Sequence, residues 1–267
     1  MPKNKHLLRG AAGAGKNVTR VTFAALALTL FATQVDAAEI KLLSAAAMQS
    51  VLKATMADFE RNSGHKLIVT YDTIGGIERR LRNGELHDVV IGSSLIMPSL
   101  AQEGRIDSNS LFNVCRTAIG GVVPEGTPKP SFASVDDFKQ ALLNAKFVVY
   151  ADPARGGAAG VHIGRQIVSL GLADQLKAKT RVAAGGDITE VTLALGEGAL
   201  GMTQVSEIVQ KKGAVLVGVL PDELQNYTMF VAGTPEHPSE AATAFEAYLR
   251  TPRVREIIEA QGMQPGT

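Results

Sequence analysis

Residues Glu39–Glu60 read EIKLLSAAAMQSVLKATMADFE. Ile40 to Ala45 is an apolar run of strand length, and Met48, Val51, Leu52, Met56 and Phe59 then recur at helical spacing. Small residues join the two. A strand that feeds a helix through such a turn points free backbone N–H groups and the positive end of a helix dipole at one spot, where an anion can be held. Ser44 and Ser50 are the hydroxyls nearest this turn.

Working outward, the same unit recurs. KLIVTYD reads as a strand, GGIERRLRNG as a helix between glycines, HDVVIGSS as a strand, and LIMPSLAQEG as a short helix. TAIGGVVPEG, Thr117–Gly126, predicts a strand with glycines inside it. FASVDDFKQALLNA predicts a helix capped by Ser134 with acids in its first turn. KFVVYADP is a strand, AGVHIGRQIVSLGL a helix, and RVAAGGDITEVTLALGEG a strand or loop that leads into another helix. ALGMTQVSE, AVLVGVLPDEL and NYTMFVAG add strands, and the end of the chain is helical with a break near Pro252. Alternation of this kind predicts an α/β fold of parallel or mixed sheets covered by helices on both faces, with ligands at the carboxyl ends of the strands. Four turns repeat the pattern of strand, small or polar residues, then helix: residues 44–50, 71–78, 151–160 and 201–207. Together they predict one ligand cleft.

The 267 residues carry a net charge of +1 with no basic run, which gives no footprint for nucleic acid. The charge is uneven. Lys3, Lys5, Arg9, Lys16 and Arg20 precede the apolar run VTFAALALTLFAT, after which Val35 and Ala37 take the small-residue spacing of a cleavage site. This pattern predicts a secretory signal peptide over residues 1–37, cut after Ala37, and a periplasmic protein. GAAGAGKN, Gly10–Asn17, imitates a phosphate-binding loop but has Asn17 in place of the hydroxyl and no strand before it. Cys115 is the only cysteine, so no internal disulfide can form, and a buried, unreactive thiol is expected.

Catalytic patterns are sparse. His65, His87, His162 and His237 make no metal-binding pair, and no G-x-S-x-G elbow occurs. No metal and no cofactor are expected. Arg155, inside a glycine-rich strand-end turn, is a candidate ligand contact, and ERRLR, Glu78–Arg82, reads as a solvated helix face. If the cleft did chemistry, Asp152, Asp187 and Glu190 would be the acids and bases to consider. The expectation drawn from these patterns is that the protein is not an enzyme.

Over the whole chain after residue 37, the sequence resembles the periplasmic molybdate-binding proteins, solute receptors of ABC importers. SAAAMQSVL is similar to their A-A-A-S-L motif, and DTIGGIERRLRNGELHDVV to their G-G-S-G turn with its following helix and A-D-V. ADPARGGAAG, GGDITEV and GMTQ are similar to later family segments. The resemblance implies a bilobed type II periplasmic binding fold. Lobe one would be residues 38–118 and 223–267, lobe two 119–222, with a double chain crossing. It implies ligand contacts at Ala47, Met48 and Ile74, at the backbone-donor positions Ala159 and Ile188, and at Gln204. Ala47 and Ile74 stand where the family has serines, and Gln204 where it has a tyrosine. With those hydroxyls gone, a dianion would lose donors that offset its desolvation. The expected ligand is therefore a small organic anion, with polar contacts from Ser44, Thr73, Arg155, Thr203 and Gln204. Alternatives are molybdate or tungstate held mainly by backbone N–H groups, or a periplasmic enzyme reusing the fold. The implied partners are the membrane subunits of an ABC importer, with the receptor a monomer. A regulator's effector domain would share the architecture, but the chain has no helix-turn-helix segment.

Overall fold

The computed structural model describes residues 37–266; the expected signal peptide, its cleavage site and the imitation phosphate loop lie outside them, apart from Ala37. The strands are β1 (Glu39–Ala45), β2 (Lys66–Asp72), β3 (Val89–Ser93), β4 (Phe112–Thr117), β5 (Ile119–Pro124), β6 (Phe147–Ala151), β7 (Thr180–Ala183), β8 (Ala199–Gln204), β9 (Ala214–Val219), β10 (Thr228–Gly233) and β11 (Gln264–Pro265). The helices are α1 (Gln49–Ser63), α2 (Ile74–Arg82), α3 (Met97–Gln102), α4 (Val135–Asn144), α5 (Ala158–Ser169), α6 (Ala173–Leu176), α7 (Ile188–Leu195), α8 (Glu240–Leu249) and α9 (Pro252–Ala260).

Two mixed sheets result. One has the order β11-β4-β10-β3-β1-β2, the other β7-β6-β8-β5-β9. Each contains three parallel strands with a switch in order, β2-β1-β3 and β7-β6-β8, flanked by antiparallel strands. The chain passes between sheets twice, at Ala118 and between β9 and β10. Each sheet has its own apolar core. Ile40, Leu42, Ile91, Phe230 and Phe245 centre the first, and Ile119, Phe138, Val148, Ile163 and Met202 the second.

The glycine-bearing strand is shorter than expected. Thr117 belongs to β4, a strand absent from the sequence reading, and β5 starts at Ile119. A register shift opposite Phe230/Val231 of β10, where Val114 is the extra residue in β4, leaves β4 without clean alternation: Val114 and Cys115 are both buried. Cys115 lies in the first core, its Sγ 3.4 Å from Met48 Sδ and 3.5 Å from Met263 Sδ, and burial pushes its thiol far above the ordinary range. Among the described residues, no helix is long and apolar enough to cross a membrane, and no cluster of His, Cys, Asp or Glu could hold a metal.

Candidate functional site

The two switch points face one cleft. Its floor is built from the ends of β1 (Ala45–Ala47), β2 (Asp72–Ile74), β6 (Ala151) and β8 (Thr203, Gln204), with Gly157–Gly160 at the start of α5. Gly185, Gly186, Glu207, Thr228 and Phe230 complete it. All four turns singled out in the sequence meet here.

The first-sheet side is small and self-contained. Ala47 is buried and its carbonyl accepts the Ser206 hydroxyl across the cleft, 3.0 Å away. Thr73 caps α2, accepting the Gly76 N–H at 3.0 Å and donating its hydroxyl to the Arg155 carbonyl at 2.9 Å. The Gly75 N–H donates to the Gly156 carbonyl at 3.1 Å. A Cβ on either glycine would come within 3.0–3.1 Å of the other's Cα, so side chains here would hold the rims apart. The Asp72 carboxylate accepts Thr73 N–H and Arg80 Nε, both at 2.8 Å. Burial alone would raise its pKa, but these hydrogen bonds and the Arg80 charge hold it below the ordinary carboxylate value.

The second-sheet side is different. No side chain caps α5, and its first residues line the floor, so its N–H groups and dipole are free to meet an anion. Gly160 permits this: a Cβ there would lie 2.2 Å from the Ala151 carbonyl oxygen, so helix and strand end could not approach as they do. Gln204 is buried, with its Nε2 donating to Thr228 Oγ1 at 2.9 Å and its Oε1 without a partner. Glu207 folds back through a short 3-10 turn, Val205–Glu207, and its carboxylate accepts the Thr203 hydroxyl. Burial of this carboxyl pushes its pKa up, against the lowering effect of hydrogen bonds from Thr203 and the Gln204 N–H.

Of the residues expected at the site, Ala47, Thr73, Ile74, Ala159, Thr203 and Gln204 lie on this floor. Four do not. Ser44 sits inside β1, fully buried, donating to the Ala45 carbonyl at 3.3 Å. Met48 points into the first core, against Cys115. The Arg155 side chain is exposed, and only its carbonyl contacts the rim. Ile188 packs against Val149 and Ala151. The acids considered for chemistry are also engaged elsewhere: Asp152 accepts Ala154 N–H, Asp187 accepts Gly185 N–H, and Glu190 pairs with Lys211. Glu207 was not foreseen. Its signal was present, an acid four residues beyond a threonine in the turn TQVSE, but only the 3-10 turn brings the two together.

Comparison with known proteins places this geometry. A family model described as bacterial extracellular solute-binding protein matches residues 40–264. The chain belongs to that family. It is 28% identical to the molybdate-binding protein ModA of Azotobacter vinelandii, over 89% of this chain and 94% of that one. The structure of the periplasmic molybdate-binding protein from the same organism superposes with a TM-score of 0.68 at 19% identity, covering 85% of this chain and all of the other. The fold is thus the bilobed type II periplasmic binding fold expected from the sequence. A third relative corrects the functional expectation. The chain is 30% identical to an aconitate isomerase from a Pseudomonas species, over 91% of this chain and 96% of the relative. The expectation that the protein is not an enzyme is overturned by this likeness along nearly its full length.

Proposed function

We propose that this solute-binding protein takes a small unsaturated polycarboxylic acid into its cleft and isomerises it by moving a proton. The observation that carries this reading is Glu207, a half-buried carboxyl on the floor of the cleft whose pKa is raised by desolvation. A receptor for a bare dianion gains nothing from a carboxyl there, whereas proton transfer near neutral pH needs one whose pKa has been moved upward.

The chemistry follows from the substrate class. Interconverting the cis and trans forms of an acid such as aconitate requires its carbon–carbon double bond to lose its fixed geometry. A base removes a proton from the methylene that is both allylic and next to a carboxylate. The electrons spread over the allyl unit and the carboxylates, and the carboxyl, which exchanges its proton with solvent, delivers a proton to the far carbon, leaving the double bond shifted. Nothing is oxidised or reduced. In the cleft, the α5 N-terminus is suited to hold one carboxylate and stabilise the spreading negative charge. Glu207 carries the proton, and Thr203 orients its carboxyl. Ala47 and Ile74 present hydrocarbon where an oxyanion receptor would need hydroxyls, and this suits the carbon skeleton of an organic acid.

The family membership favours a second role for the same cleft: a periplasmic receptor that delivers its anion to ABC importer subunits. Export by the N-terminal segment and hinge closure of lobes 38–118 with 223–267 and 119–222 belong to that proposal.

The deciding experiment is NMR of trans-aconitate with the purified protein in D2O. Expected are appearance of the cis acid and solvent deuterium at the allylic carbons, both lost in Glu207→Gln. Absence of conversion and exchange in the wild-type protein, alongside tight binding of molybdate, would sink the isomerase reading.

A further inference from the structure

The cleft floor is too small to hold such an acid by itself. Its free volume is about 50 Å³, while sites for small molecules run to roughly 300–1,000 Å³. Directly beside it lies a second cavity of about 410 Å³ that shares Ala46, Ala47, Gly186 and Glu207 with the floor. Its outer wall comes from the first turns of α1, with Ser50 and Lys53, and from Lys211 and Gln261. The wall contains two buried polar atoms without partners, Ser50 Oγ and Gln261 Oε1. Such atoms cost stability unless something meets them. A half-turn of the Gln261 amide offers its NH2 group instead, since the two ends of an amide have nearly the same shape. Lys211 is paired with Glu190. Lys53 forms no ion pair among the described residues.

Building on the isomerase reading, we infer that this side cavity is a subsite for an additional carboxylate of the substrate, held by Lys53 Nζ, Ser50 Oγ and Gln261. The reacting carbons sit at Glu207, the one carboxyl common to both spaces, and the extra arm reaches outward. The cavity sets specificity: it favours tricarboxylates over dicarboxylates. Lys53, Ser50 and Gln261 are positioning residues, remote from the proton being moved.

The test uses two acids that cannot isomerise, propane-1,2,3-tricarboxylate and glutarate, titrated by calorimetry into the wild-type protein and Lys53→Gln at low salt. Expected is tighter wild-type binding of the tricarboxylate. Lys53→Gln should weaken it about tenfold, the scale of one charge-assisted hydrogen bond, and leave glutarate unchanged. Ser50→Ala should act in the same direction. Equal weakening of both acids would reduce Lys53 to a general electrostatic attractor and overturn the subsite. So would unchanged affinities in an enzyme that still turns over aconitate, with the isomerase reading intact. Failure of the wild-type protein to bind either acid or convert aconitate would remove both.

Discussion

The two sides of the cleft have the same scaffold and opposite chemistry. Each is a three-strand parallel core with its switch point at the cleft, β2-β1-β3 on one side and β7-β6-β8 on the other. On the first, the polar side chains that β2 brings to the floor are already engaged: Asp72 with Arg80, and Thr73 with its helix and the opposite rim. On the second, α5 has no side-chain cap, Gln204 keeps an unpartnered oxygen, and desolvation raises the pKa of Glu207. The fold supplies a symmetric place for a ligand. What happens to the ligand is set by which side leaves its polar groups unsatisfied, because those are the groups a substrate can still bind or exchange protons with.

The largest expected effect tests the reactive side. Glu207→Gln keeps the shape of the side chain and removes the proton carrier, so aconitate turnover should fall about 10²–10⁴-fold with little change in ligand affinity. The same variant has a stability signature of defined sign. The folded carboxyl holds its proton to a higher pH than the unfolded one, whose ordinary value is 4.5. As pH rises from that value through the raised folded one, the native state becomes progressively less stable, and the amide is spared this loss. Thermal unfolding should therefore show Glu207→Gln more stable than wild type at about pH 8, with the two converging near pH 4. A constant difference across that range would mean that the carboxyl is not buried.

Gly160→Ala tests whether the second side depends on the close approach of α5. Alanine is intrinsically better in a helix by about 1 kcal/mol. Here its Cβ would overlap the Ala151 carbonyl oxygen, at 2.2 Å, and backbone cannot rotate away as a side chain could. A net loss of about 1–3 kcal/mol is expected in chemical denaturation, together with weaker ligand binding as the N–H groups of α5 are displaced from the floor. Stabilisation would show that helix and strand end can separate at little cost.

The β/α alternation and the four turns were legible in the sequence because periodicity and glycine placement are local signals. Six of the ten expected site residues lie on the floor because they stand at strand ends, and the fold converges strand ends on one cleft. The residues that lie off the floor stand one step away from that rule. Ser44 is inside its strand rather than past its end, and Arg155 belongs to a turn that sends its side chain to solvent and its carbonyl to the rim. β4 was hidden by its own bulge at Val114, a tertiary event with no sequence period. Glu207 depends on a single 3-10 turn after β8. A helical or extended continuation would carry the same acid elsewhere, and pattern alone does not choose between them.

The smallest effect concerns the self-contained side. Thr73→Val removes a cap and a rim contact in one step: its hydroxyl accepts from Gly76 N–H at 3.0 Å and donates to the Arg155 carbonyl at 2.9 Å. Losing the cap costs about 1 kcal/mol, and a protein of this size should then melt about 2–4 °C lower. Thr73→Ser keeps the hydroxyl and should restore most of the difference. Because this hydroxyl already has both partners inside the protein, ligand affinity should change far less than it does on disrupting the start of α5. A Thr73→Val variant that melts like wild type yet loses ligand binding would reverse the comparison. It would show that the first side surrenders its internal bonds to the ligand, and that both sides of the cleft contact the substrate.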